Sequence, residues 1–75
     1  MPAPVVEVFR TTVARRAAAS LLRQLHRHFP AWRITFDLAD ADRILRVQTT
    51  GGPVDSSRVA QVLHARGYCC EPLPD

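Results

Sequence analysis

Trp32-Arg33-Ile34-Thr35-Phe36-Asp37-Leu38 alternates without a break. Trp32, Ile34, Phe36 and Leu38 fall on one side, Arg33, Thr35 and Asp37 on the other. A period of two with one apolar side is the pattern of a strand that packs on a core with one face and meets water with the other. The stretch before it has another period. Between residues 14 and 29, Ala14, Ala18, Leu21, Leu22, Leu25 and Phe29 are spaced as one stripe on a helix, with Arg15, Arg16, Arg23, Gln24 and Arg27 mostly opposite. Pro30 divides the two, because it biases Phe29 away from helical geometry and has no N–H to donate.

Working outward, Val5-Val6-Glu7-Val8-Phe9 is β-branched and aromatic and predicts a first strand. The hydroxyl of Thr11 or Thr12 is placed to cap the first helix. Asp40-Ala41-Asp42 reads as a polar turn. Arg43-Ile44-Leu45-Arg46-Val47-Gln48 then predicts a third strand with Leu45 and Val47 inward. After the flexible Thr49-Thr50-Gly51-Gly52-Pro53, a cap at Asp55, Ser56 or Ser57 starts a second helix. Its inner stripe is Val59, Val62, Leu63 and the aliphatic stem of Arg66. Gly67 sits where a left-handed helix end belongs, with apolar Tyr68 next. Tyr68-Cys69-Cys70-Glu71 predicts a short last strand, and Pro72 and Pro74 push it to the rim of the sheet.

Strand, helix, strand, strand, helix, strand, with two apolar helix stripes to cover, gives an α+β fold. It is the ferredoxin-like βαββαβ sandwich, a four-stranded antiparallel sheet with both helices on one face. The open face is expected to carry Glu7, Arg33, Thr35, Asp37, Arg46 and Gln48. The 75 residues make a single domain spanning 1–75.

Apolar content of 47% is ordinary for a globular chain. No apolar run approaches the roughly 20 residues that cross a bilayer, so no membrane partner is expected. Met-Pro-Ala-Pro-Val-Val-Glu-Val has no basic lead of a signal peptide, and the expected location is cytoplasmic. All ten basic residues are arginine. Arginine's planar fork suits phosphate. A base-composition bias toward arginine codons explains the same count. Seven carboxylates interleave with the arginines along the chain and leave a net +3, which disfavours a nucleic-acid partner.

With this organisation, the chain resembles the heavy-metal-associated domains, among them copper chaperones and the N-terminal modules of metal-pumping ATPases. The resemblance rests on the element order, the Thr11-to-Arg16 turn, the hairpin from Asp37 to Val47 and the closing Gly67-Tyr68. The chain looks most like short bacterial proteins related to that family without its metal motif. Phe29-Pro30, Phe36-Asp37-Leu38, Ile44-Leu45-Arg46 and Gly67-Tyr68-Cys69-Cys70-Glu71 carry that likeness. In the metal-binding members the turn reads Met-x-Cys-x-x-Cys. Here Thr11 stands at the methionine position, Val13 at the first cysteine and Arg16 at the second. Val13 has no donor atom, and Arg16 repels a cation. Tyr68 matches a tyrosine that lies near the metal loop in the family; here packing is its expected role.

Other chemistry is sparse. Cys69 and Cys70, with His64 upstream, are weak candidates for a soft-metal site, but neighbouring strand residues point to opposite faces, and one thiol is expected in the core. His26 and His28 are about 200° apart on a helix and do not chelate together. Asp37, Asp40 and Asp42 crowd one hairpin end, where turn chemistry accounts for them. No catalytic constellation, P-loop or dinucleotide motif is present. The expected function is therefore a non-enzymatic, cofactor-free module for protein interaction or regulation. It would act on a protein partner or a second copy through Arg33, Thr35, Asp37, Arg46 and Gln48. The alternatives are a divergent Cu/Zn carrier using Cys69 and Cys70, and an RNA-binding module in which only Phe9 could stack on a base.

Overall fold

The computed structural model describes residues 3–39 and 43–73. The elements are β1 (Val6–Thr11), α1 (Arg15–His28), β2 (Arg33–Asp37), β3 (Ile44–Gln48), α2 (Ser56–Ala65) and β4 (Cys70–Pro72). The strands form one antiparallel sheet in the order β2-β3-β1-β4. This is the ferredoxin-like βαββαβ arrangement expected from the alternation of periods. The Asp40-Ala41-Asp42 turn, Pro2 and Pro74 lie outside the described residues.

Register decides what each face carries. Phe9 lies opposite Leu45, and Leu45 opposite Phe36; Ile34 lies opposite Val47, and Val47 opposite Glu7. These rows form the inner face. Phe9, Leu45 and Val47 are fully buried with Leu21, Leu25, Val59 and Leu63 from the two helices. Because both helices join one cluster with one side of the sheet, they cover the same face. Each such large side chain withdrawn from water contributes about 1.5–3 kcal/mol, which in a chain this short makes the seam between sheet and helices the main source of stability.

Glu7 departs from expectation. Its partner Val47 places it on the inner face, at the helix end of the sheet, and Ser56 Oγ donates to its Oε2 at 2.8 Å. A carboxylate beside the first turn of α2 is favourable there, since that end of a helix carries partial positive charge. Strand alternation alone put Glu7 outside because the sequence reading started the phase of β1 on the wrong residue.

The helix ends also differ in part. The N-cap of α1 is Ala14, with no side-chain capping bond, so neither threonine caps it. Asp55 does cap α2, its Oδ1 accepting from the Arg58 backbone N–H. Arg66 is exposed and lies across the outside of the helix pair instead of joining the inner stripe. Phe29 is stacked on Trp32, centroids 4.3 Å apart, with the Arg58 guanidinium 5.7 Å from the Phe29 ring centroid. That contact joins the end of α1 to the start of α2.

The end of α2 follows the sequence reading. Gly67 has φ +87°, its N–H donates to the His64 carbonyl, and the Tyr68 N–H donates to the Leu63 carbonyl. This paired 5→2 and 6→1 closure is the Schellman motif. A Cβ at Gly67 would meet nothing within 4 Å, so any penalty is conformational and not steric crowding. Gly67→Ala is therefore expected to lose about 1 kcal/mol, lowering the thermal midpoint by roughly 4–8 °C in a domain of this size. An unchanged midpoint in calorimetry would refute the assignment.

Candidate functional site

The corner between β1 and α1, where the sequence reading looked for ligands, is tightly hydrogen-bonded. The Thr11 N–H donates to the Arg43 carbonyl, the Thr12 N–H to the Cys69 carbonyl and the Val13 N–H to Thr11 Oγ1. Thr11 Oγ1 in turn donates to the Arg43 carbonyl at 2.7 Å, and Thr12 Oγ1 accepts from the Cys69 N–H at 2.9 Å. The two hydroxyls that seemed to be helix caps hold β3 and β4 to this corner. Val13 is fully buried, and Arg16 is exposed. Arg43 Nη1 donates to the Val13 carbonyl at 3.0 Å, so a guanidinium supplies the positive charge at the corner. Arg43 reaches this position with φ +50°, a left-handed conformation that costs a non-glycine residue about 1–2 kcal/mol.

The candidate ligands at the other end of the chain do not converge. Cys69 and His64 are exposed, and Cys70 is buried on the inner face opposite Thr11. Among the described residues no three His, Cys, Asp or Glu side chains gather as a metal site. Burial first, and the Glu71 carboxylate second, push the Cys70 thiol from 9.0 up to about 11. A thiol held protonated is a poor nucleophile and a poor ligand for a soft ion. Tyr68 is half-buried against the core, as its packing role requires.

The five proposed contact residues do share a face. Arg33 lies opposite Gln48, Thr35 opposite Arg46 and Asp37 opposite Ile44, all with side chains turned away from the helices. Val6 and Val8 extend this outer face along β1, and Arg10 pairs with Glu71 across to β4 at 3.0 Å. Ile44 is also on this side, buried to 9% exposure yet outside the core cluster. Phe9 is fully buried on the inner face, so it offers no ring to a stacked base. Of the sheet's two edges, β4 is three residues long and ends in Pro72; β2 is five residues long and contains no proline.

Sequence reasoning missed the surface of the helix layer. Arg15, Arg16, Arg23 and Arg27 are on α1, Arg58 is on α2 and Arg66 is its C-cap; the carboxylate among them is Asp55. Among the described residues the other carboxylates, Glu7, Asp37 and Glu71, belong to strands, so the helix layer carries an excess of arginine. Arg66 Nη1 donates to Ser20 Oγ at 3.2 Å and to Gln24 Oε1 at 3.1 Å, bridging the helices. The available signal was the absence of any Asp or Glu between residues 8 and 36.

No helix among the described residues is long and apolar enough to cross a membrane. Comparison of the chain with family models, with curated proteins and with solved structures found no match.

The cysteines give a direct check. At about pH 8, iodoacetamide is expected to modify Cys69 in the folded protein and Cys70 only after denaturation. The folded state holds the Cys70 proton to higher pH than the unfolded chain does. Its contribution to stability is thus complete below about 9 and is lost as pH rises toward about 11. Denaturation curves should show that decline in the wild type, with a shallower decline in Cys70→Ala. Equal slopes, or two reactive thiols in the native state, would contradict the placement.

Proposed function

We propose that the chain is a non-catalytic interaction module, a divergent relative of the heavy-metal-associated domains in which the metal corner has become a structural joint. Its partner in this reading is a second copy of itself, met along the free edge of β2.

The observation that carries the reading is the arrangement of Arg33, Thr35 and Asp37 on that edge. Within one chain Arg33 and Asp37 are four residues apart, about 13 Å along a strand, too far to pair. An antiparallel β2–β2 contact with its two-fold axis at Thr35 sets each Arg33 opposite the other copy's Asp37. Ile34 then faces the other Phe36 on the inner side, continuing the apolar layer. The β2 backbone would gain the ladder it lacks, and one isologous contact closes the assembly at two copies. Charged residues on an edge deter pairing where like charges meet. What supports the paired form is that the two charges are opposite and symmetrically placed about Thr35.

Non-catalytic action is supported by the residues themselves. The former ligand positions hold Val13 in the core and Arg16 in solvent, while the Cys70 thiol is buried and protonated. The carrier alternative has Cys69 alone as an accessible thiol.

Charge reversal provides the test, read by light scattering after size exclusion. Arg33→Asp places like charges opposite each other twice in the dimer, as does Asp37→Arg, and each should weaken association by about tenfold or more. Mixing the two variants restores opposite charges at both contacts, so the heterodimer should form where neither homodimer does. A wild type that stays monomeric at high concentration, or variants that dimerise unchanged, would overturn the reading. One equivalent of Cu(I) or Zn(II) bound by the reduced protein, and lost in Cys69→Ser/Cys70→Ser, would replace it with the carrier function.

A further inference from the structure

A cleft of about 330 Å³ lies between α1 and α2 on the side away from the sheet, lined by Ser20, Arg23, Gln24, Arg27, His28 and Arg66. It continues toward Arg58 through a smaller hollow that shares Gln24 and His28. The lining contains three arginines and no carboxylate. Arg23 and Arg27 are one helical turn apart, a spacing at which like charges repel and weaken a helix. Among the described residues the one ion pair, Arg10–Glu71, is on the outer sheet face and relieves none of this.

Arg66 differs from the other two. Its Nη1 is fixed by Ser20 and Gln24, which leaves Nε and Nη2 to meet something in the cleft. A guanidinium already oriented by neutral acceptors loses less freedom when it takes up an anion. Its planar fork, sharing one lining with Arg23 and Arg27, matches the several oxygens of a phosphoryl group. Polar residues supply the remaining contacts: the Ser20 hydroxyl, the Gln24 amide and the His28 ring. A cleft of about 330 Å³ with three arginines in one lining suits a compact phosphate better than the long track of a nucleic-acid strand.

We propose that this cleft binds a compact phosphate-bearing ligand, with Arg23, Arg27 and Arg66 holding its oxygens. The site is separate from the β2 edge and stands whether or not the chain pairs with itself.

Titration calorimetry with inorganic tripolyphosphate and with a single-stranded oligonucleotide, on the full chain, tests this. Tripolyphosphate is expected to bind with one site per chain, and the arginine Nε–H signals of Arg23, Arg27 and Arg66 should shift in NMR spectra. Arg23→Gln/Arg27→Gln should weaken binding by about tenfold or more, while Arg15→Gln/Arg16→Gln, which removes the same charge from exposed positions outside the cleft, should leave it unchanged. The cleft variant should keep or raise its thermal midpoint, since a repulsion is removed, so lost binding cannot come from unfolding. Equal weakening by both pairs would reduce the effect to net charge and overturn the site. So would binding of the oligonucleotide alone, which would assign the arginines to a nucleic-acid strand, or no binding of either probe.

Discussion

Three consecutive backbone N–H groups, those of Thr11, Thr12 and Val13, find acceptors on three different parts of the chain. One is the entry to β3, one the approach to β4 and one the Thr11 hydroxyl itself. A buried N–H without a partner costs about 1–3 kcal/mol, so at buried Thr11 the turn depends on β3 being beside it, while exposed Thr12 adds the link to β4. The dependence also runs outward. Thr11 Oγ1 fixes the Arg43 carbonyl, and the Arg43 side chain returns to the Val13 carbonyl. Arg43 is thereby held at a backbone angle it would not choose alone. With the joint closed, Val13 seals the end of the core and α1 starts at a fixed angle across the sheet.

This joint holds the turn closed with protein groups alone. A metal ion at such a corner would draw the loop together by coordination. Here hydroxyl groups, a guanidinium and one buried valine draw it together instead. Charge is unevenly spread over the rest of the surface. Six arginines lie on the two helices and the end of α2, three of them lining the cleft, and among the described residues Asp55 is the carboxylate with them. A mixed sheet face with one long bare edge and a cationic helix face are different chemical surfaces on the same thin domain. They need not serve the same partner.

The fold was legible because its strongest signals are local. Ile34 and Phe36 against Thr35 and Asp37, the Leu21–Leu25 stripe, and Gly67 before Tyr68 each report a backbone state that depends on few neighbours. The five outer-face residues followed from the same alternation. What failed depended on distant partners. The phase of β1, and so the side on which Glu7 falls, is set by pairing with β3 and by Ser56 at the start of α2. Thr11 and Thr12 look like caps when only α1 is considered; their acceptors and donors lie 32 and 57 residues away. The convergence of Arg66 with Arg23 and Arg27 is a product of helix packing, and charge counted along a chain cannot register it.

Amide hydrogen exchange at Thr11, Thr12 and Val13 tests the closed joint most directly, because each of these amides has its own named acceptor. Closure predicts that all three are protected to about the level of the central strand β1, and that adding Cu(I) to the reduced protein leaves their rates unchanged. Exchange at the rate of an open loop, or protection that appears only with the metal, would mean that the corner still waits for a ligand.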